Sequence, residues 1–464
     1  MQYYFKESLT WSFVSSNAFS IRYSPAGAIF DIAGSSVFPK KEDIYYLLGF
    51  LASNISMEFM KLQNPTLNFQ VGNVSNLPII YNDNSKEIIE QLVKENIKLS
   101  KEDWDSFETS WDFKTHPLIY EASMDPMQIA REQKNGFQVC NNLEEAYIHW
   151  VKKCDNRFEN LKKNEEEINK IFLNIYDLEG EISPNVRDND ISVRKANRER
   201  EIKSFISYAV GCMFGRYSLD KDGLIYAGGD FDSVYKKYKK EDGGWSGASL
   251  SNYKYLNDNG NEIELSFEVD NDNIIPITDE AYFSDDIVER FKIFIKTVYG
   301  DNTFNENMDF IAGTLGKKGT ETSEETIRRY FVNDFFNDHV KVYQKRPIYW
   351  LLDSGKKNGF KALIYMHRYN ENLIPKARLD YLHRVQTTYE KLLSDVNYKL
   401  TTDLSMTDKK EAKNRQADLN AKLNEIKEYD EKIAHIANQR ISIDLDDGVK
   451  VNYEKFKDIL AKIK

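Results

Sequence analysis

Eleven side chains near the start of the chain have the types and spacing for recognition chemistry. Ser15, Ser16, Asn17, Arg22, Ser35, Ser36, Asn64, Thr66, Asn68, Gln70 and Asn73 are hydroxyls, amides and a guanidinium on expected turns and strand ends. Such groups hold phosphate oxygens and read the donors and acceptors on base edges. Asn and Ser also build turns by bonding their own backbone, and residue type alone does not separate the two uses. The first 80 residues balance Lys6, Arg22, Lys40, Lys41 and Lys61 against Glu7, Asp31, Glu42, Asp43 and Glu58, so they are neutral within a chain of net charge −11.

A second candidate lies between Lys341 and Arg384. Lys341, Lys345, Arg346, Lys356, Lys357, Lys361, Arg368, Lys376, Arg378 and Arg384 outnumber Asp353, Glu371 and Asp380, a local charge of +7. With Tyr349, Trp350, Phe360 and Tyr365 interleaved, the segment has what is needed to track a phosphate backbone and stack on a base. The competing reading is that these cations neutralise the acidic stretch around Glu321, Glu324, Glu325 and Asp338, or dock a partner. A smaller cluster, Arg194, Lys195, Arg198, Arg200 and Lys203, opens a helix and reads equally well as a solvated face.

Catalytic and metal-binding patterns are missing. There is no Pro-Pro pair, hence no Asn/Asp-Pro-Pro-aromatic loop to hold the amino group of a flipped base. Gly211 to Gly215 lies in an apolar helix, not a strand-to-helix phosphate turn. GTLGKKGT from Gly313 and SGKKNG from Ser354 lack the spacing of a phosphate loop. Two E-x-K triplets, Glu201-Ile202-Lys203 and Glu425-Ile426-Lys427, fall on amphipathic helices and read as solvated charge before they read as a nuclease. His339, His367 and His383 belong to no clustered metal motif and read as structural polar residues.

The 464 residues, 41% hydrophobic with 28 Tyr, 27 Phe and 6 Trp, suffice for about two to four packed domains. Cys140, Cys154 and Cys212 are isolated thiols, which points to a reducing cytoplasm. No apolar run is long enough to span a bilayer, and the start MQYYFKESLTWSF lacks the marks of a signal peptide. Its immediate plunge into aromatic, strand-like sequence reads as a cut edge.

The expected fold is α+β. Residues 1–84 form a small sheet with a helix over Asp43 to Leu62. Residues 85–182 form a helical spacer, first to about Trp111, then a long coiled-coil-like helix with the stripe Leu143, Tyr147, Trp150, Cys154, Phe158, Leu161, Glu165, Ile168, Phe172, Ile175. Glu165 either weakens this seam or meets a basic partner. Residues 183–376 form a mixed α/β domain with an EDGGWSGAS loop, a strand at ELSFEV, helices at Asp285 to Val298 and Ser323 to Tyr343, and strands PIYWLLDS and FKALIYMHRY. Residues 377–464 form an antiparallel helical hairpin and tail, one arm carrying Leu379, Leu382, Val385, Tyr389, Leu393, Val396 and Leu400, the other Leu419, Leu423, Ile426, Ile433 and Ile436.

The segments LTWSFVSSNAFSIRYSPAGAIFDIAGSSVFP, YYLLGFLASN and NPTLNFQVGNVSNLPII resemble the end of the target-recognition domain in BREX phage-defence adenine-specific DNA methyltransferases. The likeness continues through ISYAVGCMFGRYSLDKDGLIYAGG, the run from Phe310 to Tyr369, and the closing residues Tyr381 to Ile463. The first part is also similar to the closing half of a recognition domain in type I restriction specificity subunits. The resemblance implies a partial target-recognition domain whose Ser/Asn-rich loops contact base edges. It implies that the complete enzyme binds S-adenosylmethionine, methylates N6 of adenine and works with other BREX defence proteins, while this chain has no cofactor site and no catalytic residue.

The resulting expectation is a cytoplasmic target-recognition and assembly portion, inactive alone, with double-stranded DNA and a catalytic methyltransferase domain or chain as partners and no membrane. The expected DNA contacts are Arg22, Ser35, Ser36, Asn64, Thr66, Asn68, Gln70 and Asn73 in the first part and Lys345, Arg346, Lys356, Lys357, Lys361 and Arg368 in the second. The alternative is a protein-interaction module that docks other BREX components and contacts little DNA itself.

Overall fold

The computed structural model describes residues 2–15, 19–40, 43–64, 66–122, 140–238, 252–256 and 260–463. Ser16, Asn17, Lys41, Glu42 and the EDGGWSGAS loop lie outside the described residues. The chain is mixed α+β, with three small antiparallel sheets among long helices, and divides into two compact units.

The first unit comprises Met1–Asp105 and Trp150–Ala196. Strand β1 (Ser8–Ser12) lies between β2 (Ile21–Ser24) and β3 (Gly34–Val37), antiparallel to both. The alternation Ser-Leu-Thr-Trp-Ser sends Leu9 and Trp11 to one face, where both are buried. They join Ile44, Tyr46 and Phe50 of α1 (Ile44–Ala52), Ile89 and Val93 of α4 (Asp83–Trp104), and Ile168, Phe172 and Leu173 of the Leu143–Ile175 helix in one core. Gly49 allows α4 to approach α1, since a Cβ there would come within 2.9 Å of the Ile89 side chain. Burying a side chain the size of Trp11 or Phe172 contributes roughly 2–3 kcal/mol.

The single helix expected from Asp43 to Leu62 is two, α1 and α2 (Asn54–Gln63), broken at Ser53. Ser53 is extended at ψ 159°, its hydroxyl donates to the Phe50 carbonyl at 2.7 Å, and its oxygen accepts from the Ser56 amide. A serine that can cap the next turn competes with continuing the helix. Helix α4 also ends earlier than expected, at Trp104.

Glu165 sits half-buried on the long helix and forms no ion pair among the described residues. Burial, with the like charges of Asp190 and Glu166 beside it, pushes its carboxyl up to about 7. A carboxyl raised in the folded state is a cost that appears only as it ionises, so it is absent near pH 4 and complete above pH 7. Glu165→Gln is therefore expected to stabilise the chain by on the order of 1–2 kcal/mol at pH 8, after allowance for solvent screening. The gain should vanish at pH 4 in urea titrations. A gain independent of pH would refute this account.

The second unit comprises Ser106–His149 and Asn197–Lys464. One sheet joins β4 (Tyr235–Tyr238), β5 (Asn252–Leu256) and β6 (Glu262–Glu264). The other is ordered β7 (Ile275–Pro276), β9 (Lys361–Tyr365), β8 (Tyr349–Asp353). The expected PIYWLLDS and FKALIYMHRY strands are β8 and β9, paired from Tyr349 with Tyr365 to Asp353 with Lys361. Both are almost wholly buried, which explains their near-continuous apolar sequence. The ELSFEV strand is not formed as expected: β6 stops at Glu264, and Phe267 and Val269 are buried outside any strand.

Two helical expectations change in detail. Ser323 to Tyr343 is two helices, Ser323–Asn333 and Phe335–Val342, that part at Asp334. In the carboxy-terminal hairpin, a π-helical segment Ala377–Leu382 precedes the His383–Leu400 helix. Its wider turn shifts the register, leaving Leu379 57% exposed while Tyr381 and Leu382 are buried. The returning helix, Met406–Gln439, starts at a Ser405 cap and buries Leu419, Leu423, Ile426, Ile433 and Ile436 as expected.

Candidate nucleic-acid interface

The strand alternation that buries Leu9 and Trp11 gives the opposite face of the first sheet an all-polar character. On that face the register places Ser8 beside Ser24, Thr10 between Arg22 and Ser36, and Ser12 beside Gly34. Beyond the strand end an antiparallel bridge joins Val14 to Asn68, which puts Asn68 on the side of the outward residues of β1. The backbone of this extension is pinned: the Ser15 amide donates to Leu67 O at 3.0 Å, the Phe69 amide to Phe13 O at 2.7 Å, and the Trp11 indole N–H to Phe69 O at 2.9 Å. A cavity of about 360 Å³ opens over the face, lined by Lys6, Ser8, Thr10, Ser24, Gly34 and Ser36 and by the loop Ala28 to Asp31.

The expected contact residues occupy different places in this arrangement. Arg22 is exposed on the polar face and forms no ion pair among the described residues. Ser36 shares that face, its hydroxyl donating to Gly34 O at 3.3 Å and keeping acceptor capacity. Ser35 points the other way, is 7% exposed, and donates to Ile32 O at 3.4 Å. Asn64 and Thr66 fold onto their own turn. The Asn64 side-chain amide donates to Asn68 O at 2.7 Å, the Thr66 hydroxyl to Asn64 Oδ1 at 2.6 Å, and the Asn68 backbone N–H to the Thr66 hydroxyl at 3.3 Å. Gln70 and Asn73 form a reciprocal capping box on α3 (Val71–Ser75). Asn68 differs, because its backbone is held while its exposed side-chain amide has no hydrogen bond among the described residues.

Ser8, Thr10, Ser12, Ser24 and Lys6 were not among the expected contacts. Their signal was the period-two pattern of SLTWS, which marks one face of a strand as hydroxyl-bearing once the other is seen to be apolar.

In the second unit the +7 window does not form one surface. Lys361 is buried, its ammonium donating to Val332 O at 2.7 Å. The Arg368 guanidinium donates to Phe214 O at 3.2 Å and Asp270 O at 2.9 Å and lies 3.8 Å from the Phe231 ring centroid. Arg378 grips Asp430 through two bonds of 2.7 and 2.8 Å. Lys376 pairs with Asp272 and Asp380, and Lys341 with Asp338. The acidic stretch is neutralised mainly from elsewhere, Glu321 by Arg329 and Glu324 by Lys292 and Arg328. Lys345, Arg346, Lys356 and Lys357 remain exposed without ion pairs among the described residues. They stand at opposite ends of β8, whose five residues span roughly 17 Å.

The glycines and histidines weighed as chemistry have structural roles. A Cβ on Gly211 would come 2.5 Å from the Tyr217 ring, so the glycine serves close packing at this point. His339 accepts the Ile348 and Tyr349 amides at 3.0 and 3.1 Å through Nε2, and burial drives its pKa down to about 3. His383 bonds Asp430 at 3.0 Å. No helix among the described residues is long and apolar enough to cross a membrane.

No family model matches the chain. It is 42% identical over 455 residues to the adenine-specific methyltransferase PglX of Lacticaseibacillus casei (strain Zhang), which covers 97% of this chain and 34% of PglX. It is 37% identical over 485 residues to the adenine-specific methyltransferase BrxX of Escherichia coli O9:H4 (strain HS), covering 99% of this chain and 36% of BrxX. The chain spans about a third of the length of these curated relatives. Over nearly its whole length the chain is a homologue of the adenine-specific methyltransferases PglX and BrxX.

Proposed function

We propose that this chain is the DNA target-recognition and assembly portion of a BREX-type adenine-N6 DNA methyltransferase, with methyl transfer carried by residues outside it. The observation that carries the reading is the outward face of the first sheet. Its hydroxyls, Arg22 and the unengaged Asn68 amide stand on a backbone fixed by β1 and its bridge to Asn68. Rigidly held donors and acceptors of this kind read base edges, while lysines set register on phosphates. In the second unit Lys345, Arg346, Lys356 and Lys357 supply the phosphate contacts. S-adenosylmethionine belongs, in this reading, to the complete enzyme.

The test is binding of the chain to a duplex library at two salt concentrations, with and without a separately expressed methyltransferase domain. Asn68→Ala is expected to relax sequence preference with an unchanged salt slope. Lys356→Ala/Lys357→Ala is expected to weaken binding to all duplexes about tenfold and to reduce the log–log salt slope by up to roughly 2. Equal effects of both variants on every sequence, or no binding under any condition, would refute the reading and favour a protein-docking module.

A further inference from the structure

The cavity on the outer face of the first sheet has a lining that a phosphate site would not have. Besides Lys6, Ser8, Thr10, Ser24, Gly34 and Ser36, it includes the carboxylate of Asp31 and the apolar side chains of Ile29 and Phe30. Asp31 would repel a phosphate, and Ile29, 68% exposed, has nothing to gain from one. The loop that carries them is nonetheless held in place. The Asp31 carboxylate accepts the Ala33 and Gly34 amides at 2.9 and 3.2 Å through Oδ1, leaving Oδ2 without a bond among the described residues. The Phe5 amide donates to Ala28 O at 2.8 Å, and the Gly27 amide to Phe5 O at 3.1 Å. Ser8 at the cavity floor is only 4% exposed, whereas the half-buried Ser24 makes no side-chain hydrogen bond among the described residues, so the cavity holds a hydroxyl donor beside an apolar wall and a carboxylate acceptor.

Thymine's 5-methyl is the apolar group that the major groove presents, and it sits beside the O4 acceptor, with the N6 amino donor of the paired adenine on the far side of O4. We propose that this cavity reads an A·T pair, with Ile29 against the thymine methyl, the Ser24 hydroxyl or Lys6 donating to O4, and Asp31 Oδ2 accepting from the adenine amino group. The inference rests on the recognition reading above and adds the base pair and the residues that select it. Ile29 is the specificity-determining residue, since its contact is with a group that distinguishes thymine from every other base.

The experiment takes the duplex preferred by the full chain in the library selection and replaces each thymine in turn by deoxyuridine, which removes only the methyl. One position is expected to lose roughly four- to tenfold in affinity with the unsubstituted chain. With Ile29→Ala the same replacement should change nothing, because the methyl has already lost its partner. Ile29 is exposed, so folding should be intact, and matched circular dichroism and melting curves check that. Selective binding that survives every deoxyuridine replacement would overturn the A·T assignment and leave the recognition reading standing. A methyl effect that persists in Ile29→Ala would also overturn it. Absence of selective binding in the library itself would instead overturn the recognition reading, and this inference with it.

Discussion

Arg328→Ala is expected to cost the second unit about 3–5 kcal/mol, the usual penalty for stranding one member of a buried ion pair. Arg328 Nη1 donates to Asp286 Oδ1 at 2.8 Å and to Thr278 O at 3.0 Å. Asp286 is completely buried, accepts the Thr278 hydroxyl at 2.8 Å and the Val288 amide at 3.0 Å, and caps the Ile287–Tyr299 helix. Burial pushes the Asp286 carboxyl up, and the Arg328 guanidinium is the strongest influence holding it down. Without Arg328 the carboxyl rises further. A group with a raised folded pKa costs stability as pH climbs towards that pKa, so the deficit should be larger at pH 8 than at pH 5. In a unit of this size a melting point about 10 °C lower is expected at neutral pH. Urea titrations of the full chain at both pH values measure it. A deficit under about 1 kcal/mol, or one that grows on acidification, would show that the pair does not carry this junction.

That pair was invisible in the sequence, because Asp286 and Arg328 are 42 positions apart and each resembles an ordinary surface charge. Elements with strong local periodicity were legible: the Leu143–Ile175 stripe, the paired β8 and β9 strands, and the Leu419 to Ile436 stripe of the last long helix. Breaks that depend on one side chain's choice of partner were not. Ser53 could have pointed to solvent and left one helix, and nothing local announces the π turn at Ala377–Leu382. The same limit governs the candidate interface. Hydroxyls and amides near the amino end stand out in the sequence as a rich set, but only strand register separates Arg22 and Ser36, which face outward, from Ser35, which does not. Spatial pairing likewise thinned the +7 window, since Lys361, Arg368 and Arg378 found partners distant in sequence. A run of charge reports composition, and the fold decides how much of it reaches solvent.

Glu425→Ala is expected to cost about 2–3 kcal/mol, more than its place in an E-x-K triplet on an amphipathic helix would suggest. Its carboxylate is not a solvated charge. It accepts the Ser354 hydroxyl at 2.7 Å, the Lys357 amide at 2.7 Å and the Gly359 amide at 3.0 Å, so it fills the concave side of the β8–β9 turn. The turn is shaped around it: Gly355 has φ +142°, and a Cβ there would come 2.7 Å from Glu425 Oε2, while one on Gly359 would come 3.0 Å from Lys422 O. The amides that a phosphate loop would aim at its ligand are thus already bonded inward, and any phosphate contact by Lys356 and Lys357 must run through their side chains. Removing the carboxylate leaves two amides and a hydroxyl without their acceptor and loosens the tip that presents both lysines. Hydrogen exchange at Lys357 and Gly359 should therefore accelerate selectively in Glu425→Ala, by at least tenfold over the strand amides of β8, alongside the fall in unfolding free energy. Glu425→Gln, which keeps one acceptor oxygen, should lie between the two. Unchanged exchange at both amides would mean that the strands alone hold the turn and that Glu425 only covers it.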